Sequence, residues 1–304
     1  MSPSRAEPGQ AARGDRAPVA KEDITAGLRA LGIRAGDRMF AHTSLSAFGR
    51  VDGGAEIDGG AEAAGGAEVA GGAEVVCDAL IDAVGPSGTV AVPTFTWGRY
   101  HDQETVVFDV RNDPCEVGRV PETFRRRADA VRSEHACHSI AAIGAEAQDV
   151  MGDGVRPFAE GSSMYRLYEL DFWYVFLGCG FGCCTALHTV EELAQVPYRY
   201  YRHFEGSTVI RADGTAVPAR SVEFLRRSPY HNDFEKMEAV YRKEGLLRAV
   251  TVGDARIICA KARDIVDLGL RQMRDDIGCL LTEASRQYLA QDQGFETERE
   301  RTES

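Results

Sequence analysis

The sequence predicts an α/β sandwich, on three observations. Amphipathic helical stretches alternate with short apolar runs of strand length, Gly and Pro punctuate the junctions, and one segment reads as an antiparallel ribbon. In chain order, Ile24, Leu28 and Leu31 share one face of a helix that stops at Gly32. Arg38-Met39-Phe40-Ala41-His42 then reads as a short strand entering a loop. Val75, Val76, Ala79, Leu80, Ala83 and Val84 give a second amphipathic helix, closed by Gly85-Pro86-Ser87-Gly88, and Thr89 to Pro93 is a buried strand. A similar strand, Tyr174 to Gly178, feeds through a Gly/Cys loop into a helical segment from Thr185 to about Gln195. Thr208 to Val217 is the ribbon, a hairpin turning at Asp213-Gly214, and the run from Asp264 to Leu289 is mostly helical.

At 304 residues, 44% hydrophobic and 27% charged, the chain has an ordinary globular composition. One domain is expected over residues 18–290, with tails at 1–17 and 291–304 that hold too few apolar residues to pack. Nothing approaches the roughly 18 apolar residues of a membrane span, and the first residues lack the apolar core of a secretory signal, so a cytoplasmic protein is expected. The eight cysteines form no compact framework and read as reduced thiols. A net charge of −12 argues against a nucleic-acid partner. The same acidity suits a cationic small molecule, but solubility is its first explanation.

Several motifs invite a function and fail on spacing. Residues 53–74 repeat a Gly-Gly-Ala-Glu unit four times, and hexapeptide repeats of this kind build left-handed β-helices. Four units make little more than one coil, and the flanking helix and strand break the period, so a mobile or frayed insert is expected. Arg211-Ala212-Asp213-Gly214-Thr215-Ala216 matches the pyrophosphate loop of the common N-acetyltransferase superfamily, yet Val217-Pro218 follows where that loop needs a helix. Gly178-Cys179-Gly180-Phe181-Gly182 lacks the third Gly of a dinucleotide loop, and Cys179, Cys183, Cys184 and His188 match no usual zinc spacing, so no metal is expected.

The segment after that loop, Thr185-Ala186-Leu187-His188-Thr189-Val190-Glu191, carries more. With Thr185 as N-cap, His188 lies in the first helical turn, where the dipole disfavours the imidazolium and helps keep a neutral base. Glu191, at i+3, shares its face and can orient the ring. Spacing alone favours the blander reading, a first-turn histidine beside a chance acid.

Other stretches change that balance. His42-Thr43-Ser44-Leu45-Ser46-Ala47-Phe48-Gly49, then Gly88-Thr89 through Pro93-Thr94-Phe95-Thr96, Gly118-Arg119-Val120-Pro121-Glu122-Thr123-Phe124-Arg125, Arg132-Ser133-Glu134-His135 and Leu187-His188-Thr189-Val190-Glu191 occur in this order. Together they resemble the aminoglycoside 3-N-acetyltransferase family over roughly Lys21 to Asp267. The resemblance implies that family's layered α/β/α sandwich, distinct from both the common N-acetyltransferase fold and the β-helix. It implies acetyl-CoA as co-substrate and a primary amine of a small polar acceptor, an aminoglycoside or an antibiotic or amino-sugar intermediate. His188 would be the general base and Glu191 its orienting acid. His42, Thr43, Ser44, Leu45, Ser46, Phe48 and Gly49 would hold the donor, with Thr94, Thr96, Arg132, Ser133, His135 and Ser139 around its cleft. Glu192, Tyr198, Arg199 and Asp233 would face the acceptor. His42 and His138 equally suit structural roles, and Tyr165 and Tyr168 packing beneath the site. Where resistance members tend to read Ile-Pro-Gly-Lys-Arg, this chain has Val196-Pro197-Tyr198-Arg199-Tyr200-Tyr201-Arg202, which suits a phosphate, carboxylate or nucleotide-bearing acceptor better than a polycation. A homodimer, and a non-catalytic binding protein on the same fold, stay open.

Overall fold

The computed structural model describes residues 17–53, 66–100 and 103–291. The expected tails, apart from residues 17 and 291, and residues 54–65 of the repeat lie outside the described residues. A seven-stranded sheet forms the middle layer. Its strands are β1 (Arg38–Thr43), β2 (Thr89–Pro93), β4 (Val131–Arg132), β5 (Ile140–Gly144), β6 (Trp173–Leu177), β11 (Arg248–Val252) and β12 (Ala255–Lys261), in the order β11-β12-β6-β1-β2-β5-β4. β1 runs parallel to both β2 and β6, and the remaining pairs are antiparallel.

The sheet is apolar on both faces because successive side chains point to opposite sides. Met39 and Ala41 of β1, Val175 and Leu177 of β6, and Ile257 and Cys259 of β12 enter one core. Phe40, Tyr174, Phe176, Ile258 and Ala260 enter the other. The first core is covered by α1 (Lys21–Ala30), α2 (Gly66–Val84) and α4 (Arg119–Arg125). Its opposite is covered by α5 (Ser163–Glu169), α6 (Ala186–Leu193), α7 (Met237–Lys243) and α8 (Ala262–Asp275). Each fully buried large apolar side chain contributes roughly 1.5–3 kcal/mol, so these two cores hold the three layers together.

Two smaller sheets sit beside the sandwich. β7 (Arg199–His203) and β10 (Val222–Arg226) make a two-stranded antiparallel ribbon. β3 (Val107–Asp109), β8 (Thr208–Ile210) and β9 (Ala216–Pro218) make a three-stranded sheet, whose β8–β9 hairpin is the expected Asp213-Gly214 ribbon. The short α3 (Trp97–Tyr100) and the C-terminal α9 (Glu283–Gln291) complete the elements.

One expectation needs correction. The helix expected from Val75 starts at Gly66, inside the repeat. Ala and Glu are strong helix formers, and Ala73 is fully buried, so the added turns gain packing as well as propensity. Gly71 is required there: a Cβ would sit 1.9 Å from the carbonyl oxygen of Gly53, in the turn against which the helix leans. The run from Asp264 to Leu289 is mostly helical as expected, in two pieces: α8 ends where Asp276 adopts an extended backbone, and α9 begins at Glu283.

Candidate active site

The parallel strands end together at Thr43, Pro93 and Leu177. The chain leaves β1 to build β2 on one side and returns later to place β6 on the other, so the crevice at these carboxyl ends is a topological switch point, the usual ligand site of such sheets. A cavity of about 660 Å³ opens there, within the range of small-molecule sites. Its lining combines His42, Thr43 and the Cys179 to Thr185 loop with Glu223 to Arg226 of β10, and Phe95, Trp97, Phe158 and Phe234 add aromatic surface. Gly178 seats the Cys loop. Its φ is +71°, and a Cβ would lie 2.4 Å from the Cβ of Ala47, so only glycine lets this loop close onto the 3₁₀ turn Leu45–Phe48.

His188 reaches the cavity from the first turn of α6. Its Nδ1 lies 2.7 Å from Glu191 Oε2, which also accepts from Arg199 Nη2 at 2.7 Å. Asn232 Nδ2 donates to Glu191 Oε1 at 2.6 Å, and Arg199 Nη2 donates to Asn232 Oδ1 at 2.8 Å. Side-chain exposure falls from 25% at His188 to 8% at Arg199 and 0% at Glu191. Nδ1 meets both the Glu191 carboxylate at 2.7 Å, an acceptor only, and Arg199 Nη2 at 3.1 Å, a donor only; the shorter contact is with the carboxylate, so Nδ1 carries the proton in the neutral ring and Nε2 holds the free lone pair. Among the described residues, Nε2 has no protein partner.

Electrostatics reinforce this arrangement. Burial, then the Arg199 charge, pulls the His188 pKa below its usual value, while Glu191 partly opposes them. Burial alone would push the Glu191 carboxyl up, but Arg199, His188 and Asn232 hold it below the usual carboxylate range. The site at neutral pH is therefore a neutral imidazole backed by a buried carboxylate–guanidinium pair. Phe158 and Phe234 pack on the ring at centroid distances of 5.1 and 4.9 Å and fix its plane.

A sequence model described as aminoglycoside 3-N-acetyltransferase matches residues 40–274. The chain belongs to this family. It is 30% identical to aminoglycoside N(3)-acetyltransferase VII of Streptomyces paromomycinus, over 86% of this chain and 93% of the relative. Aminoglycoside N(3)-acetyltransferase IV of Salmonella sp is 31% identical over 66% of this chain and 73% of its own length. Among solved structures, aminoglycoside acetyltransferase AAC(3)-Xa is 30% identical with a TM-score of 0.67, covering 86% of this chain and 94% of that one. AAC-IIIb, solved as a binary complex with CoASH, shares the fold at a TM-score of 0.69 and 23% identity, covering 85% and 97%. The protein is an N-acetyltransferase, which sets aside a purely sequestering role.

For an N-acetyltransferase, the expected site residues are sorted sharply by their surroundings. Thr185 stands at the N-cap but adopts helical geometry and makes no cap bond; its hydroxyl faces His42 Nε2 at 3.2 Å. His42 and Thr43 line the cavity, whereas Ser44, Leu45, Ser46, Phe48 and Gly49 form the turn behind them, with Phe48 in the core. Thr94, Thr96, Arg132, Ser133 and Ser139 do not line it, because their polar atoms are spent on protein partners. Arg132 donates to the Thr94 and Ser139 hydroxyls at 3.1 Å each and to the Asp113 carbonyl at 2.6 Å; Thr96 bonds the Ala136 carbonyl; Ser133 Oγ accepts from Ile140 N–H. His135 Nδ1 accepts from the Cys137 and His138 amides, and His138, rather than His135, lines the cavity.

On the acceptor side, Glu192 is bound by Arg156 and Tyr201, Tyr198 is buried against Tyr230, and Asp233 accepts from the Lys236 amide at 3.4 Å. Only Arg199 of that set reaches the cavity. Tyr165 and Tyr168 meet edge to face on α5, and Tyr168 bonds Asp267 of α8. The groups that spacing did not single out are Asn232, Arg226 and Phe158, whereas Cys179 and Cys183, weighed only as zinc ligands, face the cavity as thiols. Val222-Glu223-Phe224-Leu225-Arg226 does read as a short strand with charges among apolar residues, which is the signal that could have found β10.

Proposed function

We propose that residues 18–290 act as one domain that moves an acetyl group from acetyl-CoA to a primary amine, with His188 Nε2 as general base. The observation that carries this is the buried 2.7 Å contact of His188 Nδ1 with Glu191, which leaves Nε2 as the basic nitrogen. An amine reaches the site as an ammonium and must lose a proton before its lone pair can attack. His188, with its pKa below the usual value, is mostly neutral at pH 7 and takes that proton. As positive charge appears on the ring, the Glu191 carboxylate stabilises it without being protonated, because Arg199 and Asn232 hold it ionised.

Acetyl-CoA supplies a thioester whose C–S bond breaks as the new N–C bond forms. The amine nitrogen gives up its second proton in that step, the departing sulfur ends as the thiol, and one proton goes to solvent. The chain offers a fitting place for the acyl arm: Thr43 Oγ1 is buried at the cavity wall with no protein partner, a donor ready for an amide or thioester oxygen. A cytoplasmic setting goes with this reading, since reduced cysteines line the same wall. The acceptor is a small polar amine, either an aminoglycoside or an amino-sugar intermediate. His188→Ala tests the mechanism: thiol release from acetyl-CoA with any accepted amine should fall about 10²–10⁴-fold. Turnover at the wild-type rate would remove His188 from the chemistry.

A further inference from the structure

The cavity wall formed by β10 carries a guanidinium with no carboxylate of its own among the described residues. Among these residues, three ionised side chains line the cavity: Arg199, Glu223 and Arg226. Arg199 is matched by Glu191, and Glu223 accepts from Arg202 Nη2 at 2.5 Å. Arg226 has no carboxylate within ion-pair distance among the described residues; its Nη1 donates at 3.1 Å to Oδ1 of the Asn232 side-chain amide, a neutral group.

The register makes this more pointed. In the β7–β10 ribbon, Arg226 is the direct cross-strand partner of Arg199. Like charges placed opposite each other destabilise a sheet, and here both guanidiniums also converge on the single oxygen of Asn232. Arg226 is exposed, so water solvates its guanidinium while the cavity is empty; burial of its stem and the Arg199 charge pull its pKa down and Glu191 partly opposes them. An Arg–Arg pair on the cavity wall beside a neutral base presents two guanidiniums to an incoming anion, which can take charge-assisted hydrogen bonds from both.

Position decides which substrate carries that anion. Arg226 connects through Asn232 and Glu191 to His188, behind the base, and rides on the β7–β10 ribbon, a different sheet from the one whose β1 end, His42–Thr43, we assign to the donor. We propose that Arg226, seconded by Arg199, binds a carboxylate or phosphate on the amine acceptor, so that this enzyme selects anionic amines over polycations. The proposal rests on the acetyl-transfer reading above. The overall charge of −12 acts the other way at long range, so selectivity for an anion must come from this local pair.

Glucosamine and glucosamine 6-phosphate are matched probes that differ by the anion, with kanamycin as the polycation. Binding is read by calorimetry and kcat/KM by thiol release. The phosphate ester should be preferred by about tenfold or more, the value of one well-placed charge-assisted contact. In R226Q that preference should shrink toward unity while the KM for acetyl-CoA stays put. Three results would overturn the proposal: kanamycin or glucosamine preferred over the phosphate ester, no binding of the phosphate ester by an enzyme that turns over another amine, or R226Q raising the acetyl-CoA KM with the acceptor ratio unchanged. Failure of the catalytic reading looks different, since an active His188→Ala enzyme would leave the binding ratios untouched.

Discussion

Glu191→Gln is the most informative single change, because Glu191 meets donors on both oxygens. Oε2 accepts from His188 Nδ1 and Arg199, and Oε1 accepts from Asn232 Nδ2. A glutamine has one oxygen and one NH₂. If its oxygen keeps His188 and Arg199, its NH₂ faces the Asn232 NH₂; flipping Asn232 then turns that NH₂ toward Arg199 and Arg226, which now donate to Asn232 Oδ1. Every orientation leaves a buried donor facing a donor, and Arg199 loses its counter-charge. Breaking a buried pair from one side costs roughly 3–5 kcal/mol, which lowers the melting temperature by about 6–20 °C in a domain of this size. Stability of roughly 5–15 kcal/mol leaves the fold largely populated at 25 °C.

Activity should fall further than stability. Without the carboxylate, Nδ1 is no longer held as the donor, so kcat/KM drops by about 10²–10⁴. Glu191 is also what raises the His188 pKa against burial and Arg199, so the acid limb of the kcat/KM profile, already below pH 6.5 in the wild type, should move lower still. The double variant E191Q/R199M removes the stranded charge and should regain much of the melting temperature while staying slow. An E191Q enzyme within about threefold of wild type in kcat/KM, or one melting within about 2 °C of it, would refute the reasoning.

Two further outcomes follow from groups near the site. His42 and His135 are buried, and burial alone or chiefly pulls their pKa values to about 3 and about 4. Both protonate near 6.5 when unfolded, so stability is full above that pH and is lost as pH falls toward the folded values; between pH 7 and pH 5 each costs roughly 2 kcal/mol. His138 adds to the loss in the same direction. Unfolding free energies from urea titrations at the two pH values should therefore differ by roughly 4 kcal/mol or more, and equal values would show that these rings are not buried neutral. Cys179 and Cys183 face the cavity, and the neighbouring Cys179 thiol holds the Cys183 pKa down. Iodoacetamide should inactivate the enzyme, acetyl-CoA should slow this, and C179S/C183S should resist it; inactivation of the double variant at the wild-type rate would place the reactive thiol elsewhere.

What could be read from the chain divides along the length scale of the interactions. The strands β1, β2 and β6 were legible because a strand buried on both faces leaves a continuous apolar run. His188 and Glu191 were legible because an i, i+3 pair is fixed by the helix itself. Arg199, Asn232 and Phe158 come to the same point from remote segments, and only the folded sheet order brings them there. Thr94, Ser139 and Arg132 read as cleft residues because they are polar, yet buried polar groups satisfy one another, and these three do so. The repeat misled about α2 because a six-residue period hides helix propensity from a search for an apolar stripe.

The two walls of the cavity belong to different sheets. His42, Thr43 and the Cys loop are ends of strands in the seven-stranded sheet, whereas Arg199 and Arg226 ride on the separate β7–β10 ribbon. Substitutions on the ribbon therefore draw on a stability reserve that the central sheet supplies, and they can retune one side of the reaction without disturbing the other. Such a division lets a lineage exchange its clientele while keeping its chemistry, and it points laboratory evolution to residues 200–203 and 222–226 as the region to randomise, with Arg199 kept as the partner of Glu191.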